Sequence, residues 1–318
     1  MTQMFPQFAA LWTPVALATE VVAGRPYALV IADTRVVLFR DAAGDVAALI
    51  DRCPHRGVAL SLGRVEGGQI ACPFHGWRFD GAGACTHVPW NPDAKRGALS
   101  ATALPVRVAG GLVWVHTAPG APDGEPFVPP VLLRDDVRVM AQHMVWDVHW
   151  TRVMENMLDT PHLPFVHAGT IGKGLRGRTD AAMTMAWNET PSGAQITATR
   201  AGEAPKTTLA YHFPNVMELS IDPGGRVLRM LAVCLPQADG RTRLSIYSIR
   251  NFAKWAPLDR LFARMNARIA AEDKAIIESS QPATVPPAGE ERSVPTDIPT
   301  LAFRKIWFTR IQPQRIAP

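Results

Sequence analysis

Short runs of alternating apolar and polar residues, separated by turn-forming residues, dominate the first third of the chain. This pattern predicts strands at YALVIA, TRVVLFRD and VAALID, with AAGD as a hairpin turn between the last two. Two more strands are predicted at ALPVRVA and at GLVWVHT, which is entered through a Gly-Gly pair. Helical periodicity is nearly absent here, so residues 1–118 are predicted to form a small all-β domain.

The pattern changes after a segment rich in Pro and Gly at residues 119–130, which is typical of a linker. The remainder, residues 131–318, mixes both periodicities. TRVMENMLD is helix-like, RVLRMLAVCLP and TRLSIYSIRN are strand-like, and the longest periodic helix is predicted from Pro257 to Ser280. We found no internal repeats. The second domain is therefore predicted to be α+β, with a sheet and a long C-terminal helix.

Composition narrows the class of protein. The 318 residues are 47% apolar and 19% charged, which is ordinary for a soluble globular protein with room for two domains. No apolar run is long enough to span a bilayer, and the N-terminus does not resemble a signal peptide. We therefore expect a cytoplasmic location and no membrane insertion.

The net charge excludes few classes of binding partner. Lys and Arg number 33 against 28 Asp and Glu, a net charge of +5, and they are scattered along the chain. Without a basic stripe or a known reader motif, nucleic-acid binding is not expected. The excess fits either a solvated surface or a docking face for an acidic protein partner.

Two of the four cysteines stand in loops that each pair a cysteine with a histidine. CPHRG contains Cys53 and His55, and CPFHGWRF contains Cys72 and His75. Thiolate and imidazole together suit zinc or an iron–sulfur centre. Two histidines in place of two cysteines on one iron of a 2Fe–2S cluster make a Rieske centre. Zinc loops usually pair two cysteines, so the mixed loops favour a Rieske centre over a structural zinc site or two unrelated loops.

A second group of metal-binding residue types lies in ENMLDTPHLPFVH, residues 155–167. Two histidines with one carboxylate form the facial triad of non-haem iron(II) oxygenases, which leaves positions open for O2 and substrate. Asp159 and His162 share one face of a helical turn, while Pro161 and Pro164 argue against a regular helix continuing to His167. The alternative is a pair of hydrogen-bonded core histidines, and the preceding Rieske motif favours the iron site.

The third ligand of such a triad must come from elsewhere in the chain. One apolar stripe runs along the helix predicted from Pro257, formed by Leu258, Leu261, Phe262, Met265, Ile269 and Ile276. Glu272 and Asp273 both fall on that stripe, where an acid is costly unless a partner or a metal compensates it. Periodicity does not separate these two acids, and it also allows an acid at the rim that reaches solvent.

CPHRG and CPFHGWRF together resemble the Rieske domain of the ring-hydroxylating oxygenase family, the Rieske non-haem iron oxygenases. ENMLDTPHLPFVH is similar to the shorter, homotrimeric monooxygenase and demethylase branch of that family. Many ring dioxygenases place an Asn four residues before the Asp, whereas here Asn156 stands three before Asp159 and Glu155 holds the fourth position. The resemblance covers nearly the whole chain. It implies an N-terminal all-β Rieske domain followed by an α+β helix-grip, START-like, catalytic domain.

The same resemblance implies the roles of the site residues. The two loop cysteines would bind one iron of the cluster and the two loop histidines the other. A mononuclear iron(II) would be bound by His162, His167 and Asp273, because EDKAIIE is similar to the closing helix of the family. Asn156 and Asp159 are the predicted catalytic residues. Asp159 would bridge the second loop histidine of a neighbouring subunit to His162, consistent with the hydrogen-bonded partners that metal ligands usually have.

The function implied is O2-dependent hydroxylation or O- or N-demethylation of a small aromatic or polycyclic organic substrate. Electrons would come from a ferredoxin and/or a flavin-containing reductase, so NAD(P)H would act only indirectly. One alternative is a cis-dihydroxylating ring dioxygenase. The others are a Rieske electron-transfer protein and a module that binds a hydrophobic ligand unchanged.

Overall fold

A computed structural model of the chain describes residues 4–175, 177–287 and 289–312. The chain divides into two compact units, Met1–Val128 and Pro129–Pro318. The outermost residues of the two predicted domains, 1–3 and 313–318, lie outside the described residues. No helix in the described ranges has both the length and the apolar character needed to cross a membrane.

The first unit is built from short antiparallel strands, which confirms the predicted all-β class. Its strands are β1 Trp12–Leu17, β2 Tyr27–Ile31, β3 Thr34–Arg40, β4 Val46–Ile50, β5 Arg64–Glu66, β6 Gln69–Ala71, β7 Arg78–Phe79, β8 Cys85–His87, β9 Ala103–Leu104, β10 Val106–Ala109 and β11 Leu112–His116. They form three sheets with the orders β1-β11-β10, β2-β3-β4-β9 and β5-β6-β7-β8. All of the pairings are antiparallel.

The core of this unit fixes which side of each loop faces inward. Phe39, Leu49 and Phe79 are fully buried, and the sulfur-bearing Cys53 and Cys72 belong to the same apolar cluster. The first cysteine follows β4 and the second follows β6, so two different sheets bring them to one core. Burial of the cysteines leaves the histidines of both loops at the surface.

The second unit is a seven-stranded antiparallel sheet with helices, which confirms the predicted α+β class. Its strands are β12 Arg138–Trp146, β13 Met183–Thr190, β14 Gly193–Arg200, β15 Lys206–His212, β16 Val216–Ser220, β17 Leu228–Ala238 and β18 Arg241–Arg250. The strand order is β12-β18-β17-β16-β15-β14-β13. The helices are α1 Trp150–Leu158, α2 Leu163–Val166, α3 Pro257–Ile277 and α4 Ile298–Ile306.

Two polar contacts hold α3 on the sheet. Asn266 Nδ2 donates a hydrogen bond to Ser248 Oγ on β18 at 2.9 Å, and Lys274 Nζ donates to the Val145 carbonyl on β12 at 2.9 Å. The helix ends at Ile277, three residues before the Ser280 predicted from periodicity. These contacts fix the rotation of the helix and therefore the direction in which its acids point.

The apolar stripe predicted along α3 is partly wrong. Leu261 and Ile276 are 62% and 53% exposed, whereas the buried positions are Asn266, Ala270 and Asp273. The buried positions recur at helical spacing, so the helix has one inward face as expected. That face is polar and small because it meets a serine hydroxyl and a group of imidazoles, not a packed apolar core.

Helix α4 anchors the C-terminal segment to α1 and was not predicted from the sequence. The Trp150 ring makes edge-on contacts with Phe303 and Trp307, with ring centroids 5.8 and 5.4 Å apart. Glu155 on α1 is paired with Arg304 on α4 in a buried ion pair. These contacts hold α1 against α4 at both its first and its last turn.

Two candidate metal centres

The two Cys/His loops of the first unit share one backbone geometry. Cys53 N donates to the Val58 carbonyl and Cys72 N donates to the Trp77 carbonyl, both at 2.8 Å. In each loop a glycine four residues after the cysteine donates back to the cysteine carbonyl. Each loop is therefore a closed turn that presents its cysteine inward and its histidine outward.

The histidines of these loops lie beside each other. The His55 and His75 ring centroids are 4.7 Å apart, and the His55 ring stacks on Trp77 with centroids 4.5 Å apart and planes 3° from parallel. Phe74 packs against the His75 ring from the other side. Aromatic contacts thus restrict the rotation of both imidazoles and point the pair toward one place.

The electrostatics of the loops fit a bound cationic group. Burial, with a smaller contribution from the neighbouring Cys72 thiol, raises the pKa of the Cys53 thiol to about 11. Desolvation and the adjacent His75 ring lower the pKa of His55. Thiolates in this buried place need a compensating positive charge, and neutral imidazoles have a lone pair to offer a metal. Two inward thiols and two outward imidazoles match the donor set of a 2Fe–2S cluster of the Rieske type.

The second group of residues begins where α1 ends. Asp159 follows the last turn, and its carboxylate Oδ1 accepts a hydrogen bond from the His162 backbone N at 3.1 Å. The same oxygen lies 3.3 Å from His162 Nδ1. Helix α2 is only one turn long, with His162 as its N-cap and His167 as its C-cap. The broken helix expected from the two prolines is present and presents both histidines to α3.

His162, His167 and Asp273 come together as a group whose donor atoms all lie within 4.8 Å of one another. Asp273 Oδ1 is 3.1 Å from His167 Nε2 and 3.6 Å from His162 Nε2. This carboxylate oxygen is buried and forms no hydrogen bond within the described residues. Two imidazole nitrogens and one such oxygen facing a common point have the composition of the two-histidine, one-carboxylate iron site.

Glu272 does not join this group but contacts it from behind. Its Oε2 lies 2.8 Å from His167 Nδ1, on the side of the ring away from Asp273, and also accepts a hydrogen bond from Thr170 Oγ1 at 2.7 Å. These two hydrogen bonds lower the pKa of Glu272, that of Thr170 most. A carboxylate accepting from Nδ1–H fixes the tautomer in which Nε2 carries the lone pair.

The pKa of Asp273 is shifted upward, in contrast to that of Glu272. Desolvation raises the pKa of this carboxyl, and the imidazoles of His167 and His162 offset part of the rise. The Asn156 amide contributes in the same direction as the imidazoles, and its Nδ2 has no hydrogen-bond partner among the described residues. A buried acid with this environment favours a cation beside it.

Asn156 and Glu155, which are adjacent on α1, have different surroundings. Asn156 faces the group around Asp273, whereas Glu155 lies in a buried network with Arg152 and Arg304. The sequence predicts no role for Glu272 beside Asp273 as the ligand, and none for Thr170. The signal for Glu272 was present, since it follows Ile269 on the predicted apolar stripe by three residues, about one helical turn.

A cavity opens from the second group into the space between α3 and the sheet. It occupies about 1030 Å³ when its mouth is included. Alternate residues of neighbouring strands line it: Met217, Leu219, Met230, Ala232, Leu244 and Ile246. The candidate metal ligands stand at one end of a largely apolar chamber, which is the arrangement of a small-molecule site.

An all-β unit with paired Cys/His loops, followed by a helix-on-sheet unit with this histidine–carboxylate group, is the architecture of the Rieske oxygenase class. Residues 11–103 match the family model of the Rieske [2Fe-2S] domain. Residues 146–218 and 206–311 match the model of the vanillate O-demethylase oxygenase C-terminal domain, which thereby covers more than half of the chain. The chain belongs to the family of Rieske oxygenase and demethylase subunits.

Individual relatives agree with this assignment. The chain is 29% identical over 268 residues to chlorophyllide a oxygenase of Chlamydomonas reinhardtii, covering 77% of the chain and 39% of that protein. It is 33% identical over 155 residues to the dicamba O-demethylase oxygenase component of Stenotrophomonas maltophilia, covering 48% of the chain and 46% of that protein. The chain thus spans less than half the length of these curated relatives.

A solved structure shows the same fold. NdmA of Pseudomonas putida CBB5 superimposes with a TM-score of 0.77 at 24% identity, covering 96% of this chain and 91% of that one. Agreement over both units confirms the predicted order of a Rieske β domain followed by a sheet-dominated second domain.

Proposed function

We propose that the chain is the oxygenase component of a Rieske non-haem iron monooxygenase that hydroxylates or O- or N-demethylates an organic substrate. The observation that carries this proposal is the placement of His162, His167 and Asp273 at the end of an apolar cavity. An electron-transfer protein needs no such chamber. A binding module that leaves its ligand unchanged needs no buried carboxylate facing two imidazole nitrogens.

Each residue of the group has a defined task in this proposal. His162, His167 and Asp273 would hold a mononuclear iron(II), which, supplied with electrons, provides the O2 chemistry. Hydrogen bonds on the far side of both rings, to Asp159 and Glu272, keep the Nε2 atoms unprotonated and directed at the metal position. Apolar walls exclude water around the carbon that is to be oxidised.

The loops of the first unit would hold the 2Fe–2S cluster. Cys53 and Cys72 are the ligands on the buried side, and His55 and His75 are those on the exposed side. Exposed imidazoles suit an exit point for electrons, because a second protein surface reaches them directly. The electrons would enter from a ferredoxin or a flavin-containing reductase, with NAD(P)H as the indirect source.

We also propose a homotrimer in which one subunit delivers electrons to the next. Two features support it. The Asp159 side chain is 31% exposed although its Oδ1 contacts His162, so its outer side is open to a neighbour. Beside the exposed His75, the apolar Phe74 is 57% exposed, as expected of a surface that another subunit covers.

Total iron and acid-labile sulfide per chain, measured on anaerobically purified protein, test the metal content. We expect about three irons and about two sulfides, that is, one 2Fe–2S cluster and one mononuclear site. About two irons that do not increase after iron(II) is added would contradict the oxygenase proposal and favour an electron-transfer protein. Asp273→Asn should lose only the third iron and keep the visible spectrum of the cluster.

A further inference from the structure

The charge of the cavity lining identifies the class of substrate. Among the described residues that line it, the ionisable ones are Asp159, His162, His167 and Asp273, all at the end where the candidate metal ligands stand. Within the described residues, no Lys or Arg lines the cavity. The far end and both walls are therefore apolar or neutral.

The arginines of the surrounding elements are turned away or already paired. Arg229 on β17 donates to Glu218 and Asp222, while its neighbour Met230 faces the cavity. Arg268 on α3 is 70% exposed and lies 3.8 Å from Glu272. Neither guanidinium reaches the chamber, because residues adjacent on a strand point to opposite faces and Arg268 is on the outer side of its helix.

An anionic substrate would bind weakly in this chamber. A carboxylate bound away from the metal end would lose its hydration and find no cation to compensate it. Placed at the metal end, the carboxylate would compete for the positions that the proposed iron site must leave open for O2. An uncharged molecule meets neither penalty.

A neutral polar side chain on α3, Asn266, interrupts the apolar wall away from the candidate ligands. Asn266 is 2% exposed, lines the cavity, and is fixed by its hydrogen bond to Ser248. It precedes Asp273 by seven residues, which corresponds to about 10 Å along a helix. A substrate that reaches from the metal position to this amide must be longer than a single ring.

We propose that the site accepts an uncharged, mostly apolar molecule of at least two fused rings, with one hydroxyl or carbonyl group placed at Asn266. The inference rests on the proposed function, because it places the carbon to be oxidised beside His162, His167 and Asp273. Four methionines in the lining, at 157, 217, 230 and 265, adapt readily to a flat apolar skeleton.

The test compares one skeleton with and without a charge. Methyl 6-methoxy-2-naphthoate and the free acid, 6-methoxy-2-naphthoate, are titrated by calorimetry into the anaerobic, iron-containing full chain. We expect the ester to bind at least about tenfold more tightly than the acid, because only the acid must bury an unpaired carboxylate. Equal or tighter binding of the acid overturns the inference, as does failure of both compounds to bind at their solubility limits.

A pair of variants at the cavity mouth tests whether a positive charge alone changes the preference for the ester. Thr208 lines the cavity and is exposed, so a longer side chain there does not disturb a packed core. Thr208→Arg should reduce the preference for the ester to within about threefold, by supplying the missing cation. Thr208→Val, of similar size and no charge, should retain the full preference. An unchanged preference in Thr208→Arg overturns the inference.

The two proposals fail in different ways. Selective binding of the ester by a protein that never takes up a third iron would overturn the oxygenase proposal and leave the substrate class standing. O2 consumption stimulated by the acid but not by the ester would overturn the inferred substrate class and leave the oxygenase proposal standing.

Discussion

His167 Nδ1 lies 2.8 Å from Glu272 Oε2, while Nε2 of the same ring lies 3.1 Å from Asp273 Oδ1. Two adjacent acids of α3 thus contact opposite edges of one imidazole. Asp273 faces the proposed metal position, and Glu272 orients the ring toward it. This relationship explains why periodicity alone did not separate the two acids, since both point toward the same histidine.

Glu272→Ala should weaken iron(II) binding at the second site by about 10- to 100-fold, because His167 loses the acceptor that fixes its tautomer. Glu272→Gln, which still offers an amide oxygen to Nδ1–H, should restore most of the affinity. Iron(II) titration followed by chelator competition measures the effect without depending on turnover.

The matched control for Glu272 is Arg268→Ala. Arg268 is exposed and lies 3.8 Å from Glu272 in a surface ion pair. Loss of that surface pair should leave iron binding unchanged. If Arg268→Ala weakens binding as much as Glu272→Ala, the contact with His167 is not the cause.

Asp159→Asn should keep both metal sites filled, because the amide oxygen still accepts from the His162 backbone N. It removes the negative charge that is proposed to link His162 to a neighbouring subunit. We expect reoxidation of the chemically reduced cluster by O2, with substrate present, to slow by about 10- to 100-fold. Asp180→Asn, an exposed acid in the same unit, serves as the control. Normal reoxidation in Asp159→Asn would exclude the bridging role.

Some parts of this architecture were accessible from the sequence and others were not. Strands of the first unit were predictable because turn residues separate short alternating runs, as in β2, β3 and β4. The strands β13 and β14 were missed, since MTMAWNET and GAQITATR are too polar to show a buried face. Both strands lie toward one edge of the sheet, where few of their residues are buried: Met185, Ala194 and Ile196.

The candidate site was likewise predicted only in part from the sequence. Spacing alone singled out Cys53, His55, Cys72 and His75, because few folds need mixed thiol and imidazole pairs in two loops. The inward face of α3 was misjudged, since apolar content at Leu261 and Ile276 does not say which side meets the sheet. A helix that borders a cavity and a polar group breaks the rule that the apolar side is the buried side.

Gly172 should tolerate no side chain. A Cβ there would lie 1.9 Å from the Leu163 carbonyl oxygen and 3.0 Å from that of His167, both backbone atoms. Gly172→Ala must therefore displace α2, which lies between the two histidines of the proposed iron site. We expect a loss of roughly 2 kcal/mol or more in the free energy of unfolding, together with weaker iron(II) binding.

The neighbouring Gly174 provides the control for that substitution. A Cβ at this position meets nothing within 4 Å. Gly174→Ala should change the free energy of unfolding by no more than about 0.5 kcal/mol. Thermal unfolding and iron(II) titration of both variants check the pair, and equal behaviour would show that the close approach at Gly172 relaxes without cost.

His149 should make the second unit sensitive to acid. It is the N-cap of α1, 5% exposed, with Nδ1 accepting from the Thr151 backbone N and the ring edge-on to Trp307. Burial lowers the pKa of His149 from 6.5 to about 4. A proton on Nδ1 would remove the cap and place a positive charge at the positive end of a helix dipole, so the folded state favours the neutral ring.

The sign of the pH dependence follows from that shift. Because the folded pKa is below the unfolded one, the contribution is fully present above pH 6.5 and is lost as the pH falls toward 4. At pH 5 the loss is about 2 kcal/mol, which corresponds to a thermal midpoint lower by about 4–8 °C for a unit of this size. His149→Asn keeps an acceptor at the N-cap but cannot titrate. Between pH 7.5 and pH 5 the thermal midpoint of His149→Asn should therefore fall by about 4–8 °C less than that of the unsubstituted protein. Equal falls in the two proteins would show that His149 is not the acid-sensitive group.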